Sequence, residues 1–155
     1  MTLTTPSCCA KGAEQNPFPF CRFITFKYAI ILRYRLDRNA ARHLVHNYGD
    51  RAHVVAAIAD SGYNKLLHPK YQFIEAEVVY AVDYECAVTA VDALARRTRL
   101  AFLDRDAAFE ALPKVISLMS SKLGWDAKRQ EKEYDTAVSF LDTMHAWAYY
   151  KVFHF

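Results

Sequence analysis

Glycine is scarce in this chain and badly placed for nucleotide binding. Its four glycines, at 12, 49, 62 and 124, never come close enough together to cradle a phosphate. A dinucleotide pyrophosphate approached by backbone needs closely spaced glycines at a helix start, so binding of that kind is excluded. Cysteine is just as sparse. Cys8, Cys9, Cys21 and Cys86 form no CxxC and no Cys/His pairing at zinc spacing, which suits a reducing compartment. No apolar run approaches the roughly 20 residues of a membrane-spanning helix. A one-sided charge is also missing: outside residues 1–37 the chain balances fifteen Lys/Arg against fifteen Asp/Glu. A nucleic-acid binder draws most of its affinity from neutralising phosphates, and this body lacks the basic field to do so.

What is present is a globular composition. With 155 residues, 53% of them hydrophobic and 24% charged, the chain can bury a core of its own. Residues 1–17 hold Pro6, Gly12 and Pro17 among small polar residues and form a flexible lead-in by expectation. Their few acids suit an organellar transit peptide, but Lys11 is the one basic residue before Arg22. From Phe18 to Leu36, aromatic rings alternate with Arg22, Lys27, Arg33 and Arg35, and no acid intervenes. This stretch is either an irregular arm packed on the body or a basic-aromatic segment able to lie on an anionic membrane.

From residue 38 the text is helical. Ala40, Ala41, Leu44, Val45 and Tyr48 share one face up to Gly49, a stop in the left-handed cap position. Asp50 is then expected to cap a helix carrying Val54, Val55 and Ile58. A loop of about ten residues follows from Ser61, and Ile74, Val78, Ala81 and Val82 form a third stripe. Thr89 and Asp92 have capping-box spacing. Asp104 starts a helix that Gly124 ends, with Pro113 expected to bend it, and Asp126 caps a last helix with Tyr134, Ala137, Val138, Leu141 and Met144 inward. The spacing predicts an all-α fold: a compact bundle of about six helices over residues 38–146, preceded by an irregular arm and followed by a tail, 147–155.

The chemistry-bearing groups are few. Arg96, Arg97 and Arg99 crowd four positions ahead of an apolar run. Their expected partners are carboxylates, Glu75 and Glu77 first, with Asp83 and Glu85 behind them; a substrate phosphate is the alternative. His43 and His46 stand at i, i+3, as two metal ligands would, but no acidic or thiol ligand matches them. Solvent-facing histidines are the expectation. Cys86 is expected to be a small buried hydrophobe, with no His or Asp placed to activate it. The hairpin around Tyr48-Gly49-Asp50 has the outline of a helix-turn-helix, yet its second helix offers few side chains able to read bases.

The stretches "HLVHNYGDRA" (43–52), "LLHPKYQFIEAEVVYAV" (66–82) and "TAVDALARRTRLAFLD" (89–104) closely resemble the C-terminal helical domain of FAD-dependent glycerol-3-phosphate dehydrogenase, the aerobic or mitochondrial family related to alpha-glycerophosphate oxidase. "EALPKVISLM" (110–119), "WDAKRQEKE" (125–133) and "FLDTM" (140–144) extend the likeness, which covers about residues 29–144. The resemblance implies an enzyme that oxidises glycerol 3-phosphate to dihydroxyacetone phosphate and passes electrons through FAD to quinone at the mitochondrial inner membrane. It also implies that the flavin fingerprint and the phosphate ligands precede the matched region. No catalytic or cofactor-binding residue therefore carries over, and no cofactor is expected in this chain itself. The expected partners are the flavin-binding and substrate domains, with Arg96, Arg97 and Arg99 pairing to carboxylates or to those domains. A chain separated from them is expected to be inactive alone and prone to self-association.

Overall fold

Asp37 opens the helical body. Its carboxylate accepts from the Asn39 N–H at 2.9 Å and its carbonyl from Ala41, so donors of the first turn find partners. The computed structural model describes residues 19–153, and among these residues there is no strand. Seven α-helices follow one another: α1 (Pro19–Tyr34), α2 (Arg38–Tyr48), α3 (Ala52–Asp60), α4 (Glu75–Glu85), α5 (Leu100–Leu103), α6 (Arg105–Leu123) and α7 (Ala127–Phe153). A 3₁₀ turn, Gly49–Arg51, joins α2 to α3, and a π-helical segment, Asp92–Arg97, precedes α5. The all-α class is as the spacing predicts.

The arm is not irregular from residue 19 onward. Residues 19–34 form α1, because Phe26 and Ile30 fall one turn apart and supply a face that packs with Tyr34 on the α2–α3 cluster. Ile30 is fully buried there. The expected lead-in, 1–17, lies outside the described residues, and within the expected tail α7 continues as helix to residue 153.

Asp50 does not cap α3. Gly49, at φ 53°, turns the chain into the 3₁₀ turn, and the Asp50 carbonyl, not its carboxylate, bonds to His53 Nδ1 at 2.6 Å. Helical backbone thus runs almost without a break from α2 into α3, and no side chain caps the start of α3. Elsewhere the signals hold. The Thr89 and Asp92 side chains each accept the other's backbone N–H, at 3.1 and 3.2 Å. Asp104 caps α6 through Ala107, Gly124 ends it at φ 67°, and Asp126 caps α7 through Arg129. α6 runs unbroken through Pro113.

Two apolar clusters share the molecule, and α4 lies between them. Ile30, Leu44, Val55, Ile74 and Tyr80 belong to one, formed by α1 to α4. Val78, Leu94, Leu112, Met119 and Leu141 belong to the other, where α4 meets α6 and α7. Residues Glu75 to Ala81 are all buried, so α4 has no solvent face over its first two turns. A helix enclosed on all sides must satisfy any charge it carries internally. That requirement decides where Glu75 and Glu77 find partners.

Candidate functional site

The C-terminal half of α2, the loop Lys70–Phe73, α4 and the segment after Asp92 enclose a cleft of about 730 Å³. It gathers most of the polar residues singled out in the sequence: Arg96, Arg97, Arg99, Glu77, His43 and His46. Glu75 is not part of it.

The arginines do not pair with Glu75 or Glu77. Arg96 Nη1 lies 2.8 Å from Asp92 Oδ1, one helical turn back, and Arg97 reaches the Glu85 carbonyl at 2.7 Å and its carboxylate at 3.5 Å. Of the expected counterions only Glu85 serves. Arg99 has no hydrogen bond or ion pair from its side chain among the described residues. The reason is geometric: the two glutamates enter α4 in its first turn and are buried, whereas the guanidinium groups project from a segment that meets the other end of α4. Glu75 instead takes Lys114 of α6, at 2.9 Å, and that ammonium also donates to the Leu66 carbonyl.

Glu77 is 1% exposed and is fully engaged. It accepts from the Ile74 N–H at 2.9 Å and from the Tyr48 hydroxyl at 3.1 Å, and His43 Nε2 lies 3.1 Å from the same oxygen as Tyr48. Burial, followed by the charge of Glu77 beside it, pushes the Tyr48 phenol far above its ordinary 10.0. The hydroxyl is committed as a donor to the Glu77 carboxylate. His43 is therefore half-buried and bonded, contrary to the solvent-facing expectation, with its ring edge-on to Phe73 at 4.8 Å. His46 and His53 do face solvent. No group of three His, Cys, Asp or Glu side chains among the described residues is arranged to hold a metal.

Two further corrections concern residues the spacing could not place. Cys86 is exposed, since it occupies the left-handed position that ends α4, at φ 56°, and its side chain is turned outward. Glu133, which nothing in the sequence marks, is buried and links α7 to the Thr89 turn by accepting from Ala90 at 3.3 Å while pairing with Arg129 at 2.8 Å. At the rim of the cleft, Asp104 accepts from Lys70 and from Tyr71, besides capping α6. The hydrogen bond from Lys70, then that from the Ala107 N–H, holds its carboxyl well below the usual carboxylate range, and the same contact raises Lys70.

In chemical terms the cleft offers arginine cations and hydrogen-bond donors on one side and the carboxylates of Glu77 and Glu85 on the other. Its buried ionisable groups already serve structural bonds.

Residues 7–130 match the family described as the C-terminal domain of alpha-glycerophosphate oxidase. The chain is 45% identical over 121 residues to a probable mitochondrial glycerol-3-phosphate dehydrogenase of Dictyostelium discoideum, covering 77% of this chain and 19% of that protein. It is 46% identical over 109 residues to a mitochondrial glycerol-3-phosphate dehydrogenase of Arabidopsis thaliana, covering 70% and 17%, and 42% identical over 123 residues to that of Bos taurus, covering 76% and 17%. The chain thus spans less than a fifth of the length of these relatives. No solved structure matches it significantly. With a match over most of its length and the helical architecture above, the chain belongs to the family of the C-terminal domain of alpha-glycerophosphate oxidase.

Proposed function

We propose that the chain acts as the helical accessory domain of a mitochondrial, FAD-dependent glycerol-3-phosphate dehydrogenase associated with the inner membrane, which oxidises glycerol 3-phosphate to dihydroxyacetone phosphate and delivers electrons to quinone. The observation that carries this reading is the family match over residues 7–130 in a chain spanning only 17–19% of its dehydrogenase relatives. The oxidation belongs to residues these relatives carry elsewhere, and the domain contributes stability and contacts. FAD does not fit the described residues: Gly49 leads into a 3₁₀ turn, Gly62 follows α3 and Gly124 ends α6, so no glycine pair opens a helix toward a pyrophosphate. The first test is a visible absorption spectrum of the purified chain with a glycerol 3-phosphate to dye reductase assay in added FAD. A colourless, inactive protein is expected. Flavin absorbance with turnover overturns the reading.

A membrane-binding role for residues 18–36 has one observation in its favour. Leu32 is 81% exposed on α1, near Lys27 and Arg33. Ile30, Phe26 and Tyr34 are already committed to the core, which leaves a narrow apolar strip for a bilayer. Flotation with anionic liposomes that persists after deletion of residues 1–37 would remove this segment as the cause. Among the described residues, no helix is long and apolar enough to cross a membrane.

A further inference from the structure

α5 is a four-residue helix that sends half of its side chains into water. Leu100 and Ala101 are anchored in the core, and that anchoring leaves Phe102 and Leu103 outward, 63% and 61% exposed. Leaving two such side chains largely unburied forgoes hydrophobic stabilisation that a covering surface would restore. Adjacent on one turn, with Leu103 lining the edge of the 730 Å³ cleft, they form a ridge and not a scatter of single exposed residues.

Arginines flank this ridge. Arg99 stands immediately before α5 with φ 57°, a left-handed conformation that is strained for a side-chain-bearing residue. Its guanidinium is exposed and unpartnered among the described residues. The Arg96 side chain is 75% exposed and, among the described residues, held by its i, i+4 pair with Asp92, a weak surface contact that a better partner readily replaces. Arginine beside exposed aromatic and aliphatic side chains is the composition of interface centres, not of solvated surface.

We propose that Arg99, Phe102 and Leu103, with Arg96 beside them, form the face on which this domain docks to the remainder of a glycerol-3-phosphate dehydrogenase chain, a surface presenting a carboxylate to Arg99 next to an apolar hollow for Phe102 and Leu103. The inference rests on the accessory-domain reading and adds the surface and the chemistry of its partner. The relatives carry more than four-fifths of their length outside the matched segment, so a large body is available to cover this ridge. A small phosphate ligand is less suited to the cleft, because Lys70, Arg96 and Arg97 already have carboxylate partners in Asp104, Asp92 and Glu85. Among the described arginines and lysines of the cleft, Arg99 is the one without a carboxylate partner, and one such cation with two apolar side chains matches a protein surface.

The test is a chimera in which the matched C-terminal segment of the Dictyostelium enzyme is exchanged for this chain, with a protease site at the junction. After cleavage the two pieces should co-elute. They should separate when the chain carries Phe102→Ser with Leu103→Ser, and Arg99→Glu should weaken the association at least tenfold. The same variants of the isolated chain should melt at the unsubstituted temperature. Co-elution that survives the substitutions overturns the docking face and leaves the accessory role standing, whereas separation of the unsubstituted pieces overturns the accessory role. A drop in melting temperature of the isolated variants reveals a structural role and also overturns the face. Should the chimera fail to fold, anilinonaphthalene sulfonate, a dye both apolar and anionic, reports on the isolated chain. Its affinity should fall at least tenfold in both variants; unchanged affinity, or displacement of the dye by millimolar inorganic phosphate, overturns the proposal.

Discussion

The Tyr48 hydroxyl donates to Glu77 Oε2 at 3.1 Å, joining the end of α2 to the enclosed first turns of α4. Because α4 lies between the two apolar clusters, this bond and its companions from Ile74 and His43 hold the cleft wall in a fixed relation to both. Tyr48 also meets the Tyr80 ring edge-on at 5.4 Å, so packing and polarity secure the same contact.

Removing the carboxylate should cost far more than any surface change. Glu77→Ala leaves the Tyr48 hydroxyl, the Ile74 N–H and His43 without their shared acceptor on the inner wall of the cleft. The expected loss is about 3–5 kcal/mol, the range for breaking a buried charged contact. Tyr48→Phe, which removes one donor and leaves the ring, should cost about 1–3 kcal/mol. Urea unfolding followed by circular dichroism measures both. Equal midpoints for Glu77→Ala and the unsubstituted chain would show that the network carries no stability.

Cys86 should be improved by replacement. It holds a left-handed cap at φ 56° while its backbone N–H bonds to the Ala81 carbonyl, a position at which glycine avoids the Cβ clash. Cys86→Gly is expected to stabilise the chain by about 1 kcal/mol, and Cys86→Val to destabilise it, since a β-branched residue tolerates this backbone worst. Thermal melts of the two variants should move in opposite directions. A shared direction would mean that contacts of the thiol outweigh backbone strain.

The helices were legible because their signals are local. The Thr89–Asp92 box, Asp104, Gly124 and Asp126 each act within one turn of themselves, and each is found where its spacing places it; Asp37, not singled out in the sequence, caps α2 by the same local rule. The partners of Glu75, Glu77 and the arginines were not legible. Which of several carboxylates faces Arg97 depends on how α4 is rotated between two cores, and the rotation is set by contacts more than thirty residues apart, such as Glu75 with Lys114. The same dependence hid Glu133 and turned His43 inward.

Acid should weaken the contact between Asp104 and Lys70 in a defined window. Since the folded state holds the Asp104 carboxyl below its ordinary 3.8, the folded protein binds fewer protons there than the unfolded chain. Its contribution is fully present above the unfolded value and is lost as pH falls toward the folded one. The urea midpoint should therefore decline from about pH 5 down to about pH 2. Asp104→Asn should start lower at neutral pH and decline less across the same window. Parallel curves for the two proteins would assign the acid sensitivity to other carboxylates.

Asp37 and Asp50 offer the sharpest contrast between a cap that forms and one that does not. The Asp37 carboxylate accepts from Asn39 at the start of α2, so Asp37→Ala should cost about 1 kcal/mol, as loss of an N-cap does. Asp50 precedes α3 at the same apparent spacing, but the 3₁₀ turn already continues the helix past it and only its backbone carbonyl is used, by His53. Asp50→Ala keeps that carbonyl and should leave stability unchanged within about 0.5 kcal/mol, as surface substitutions do. Chemical denaturation of the pair separates the alternatives directly. Equal losses would mean that Asp50 caps α3 in solution and that the helical turn between α2 and α3 opens to let it.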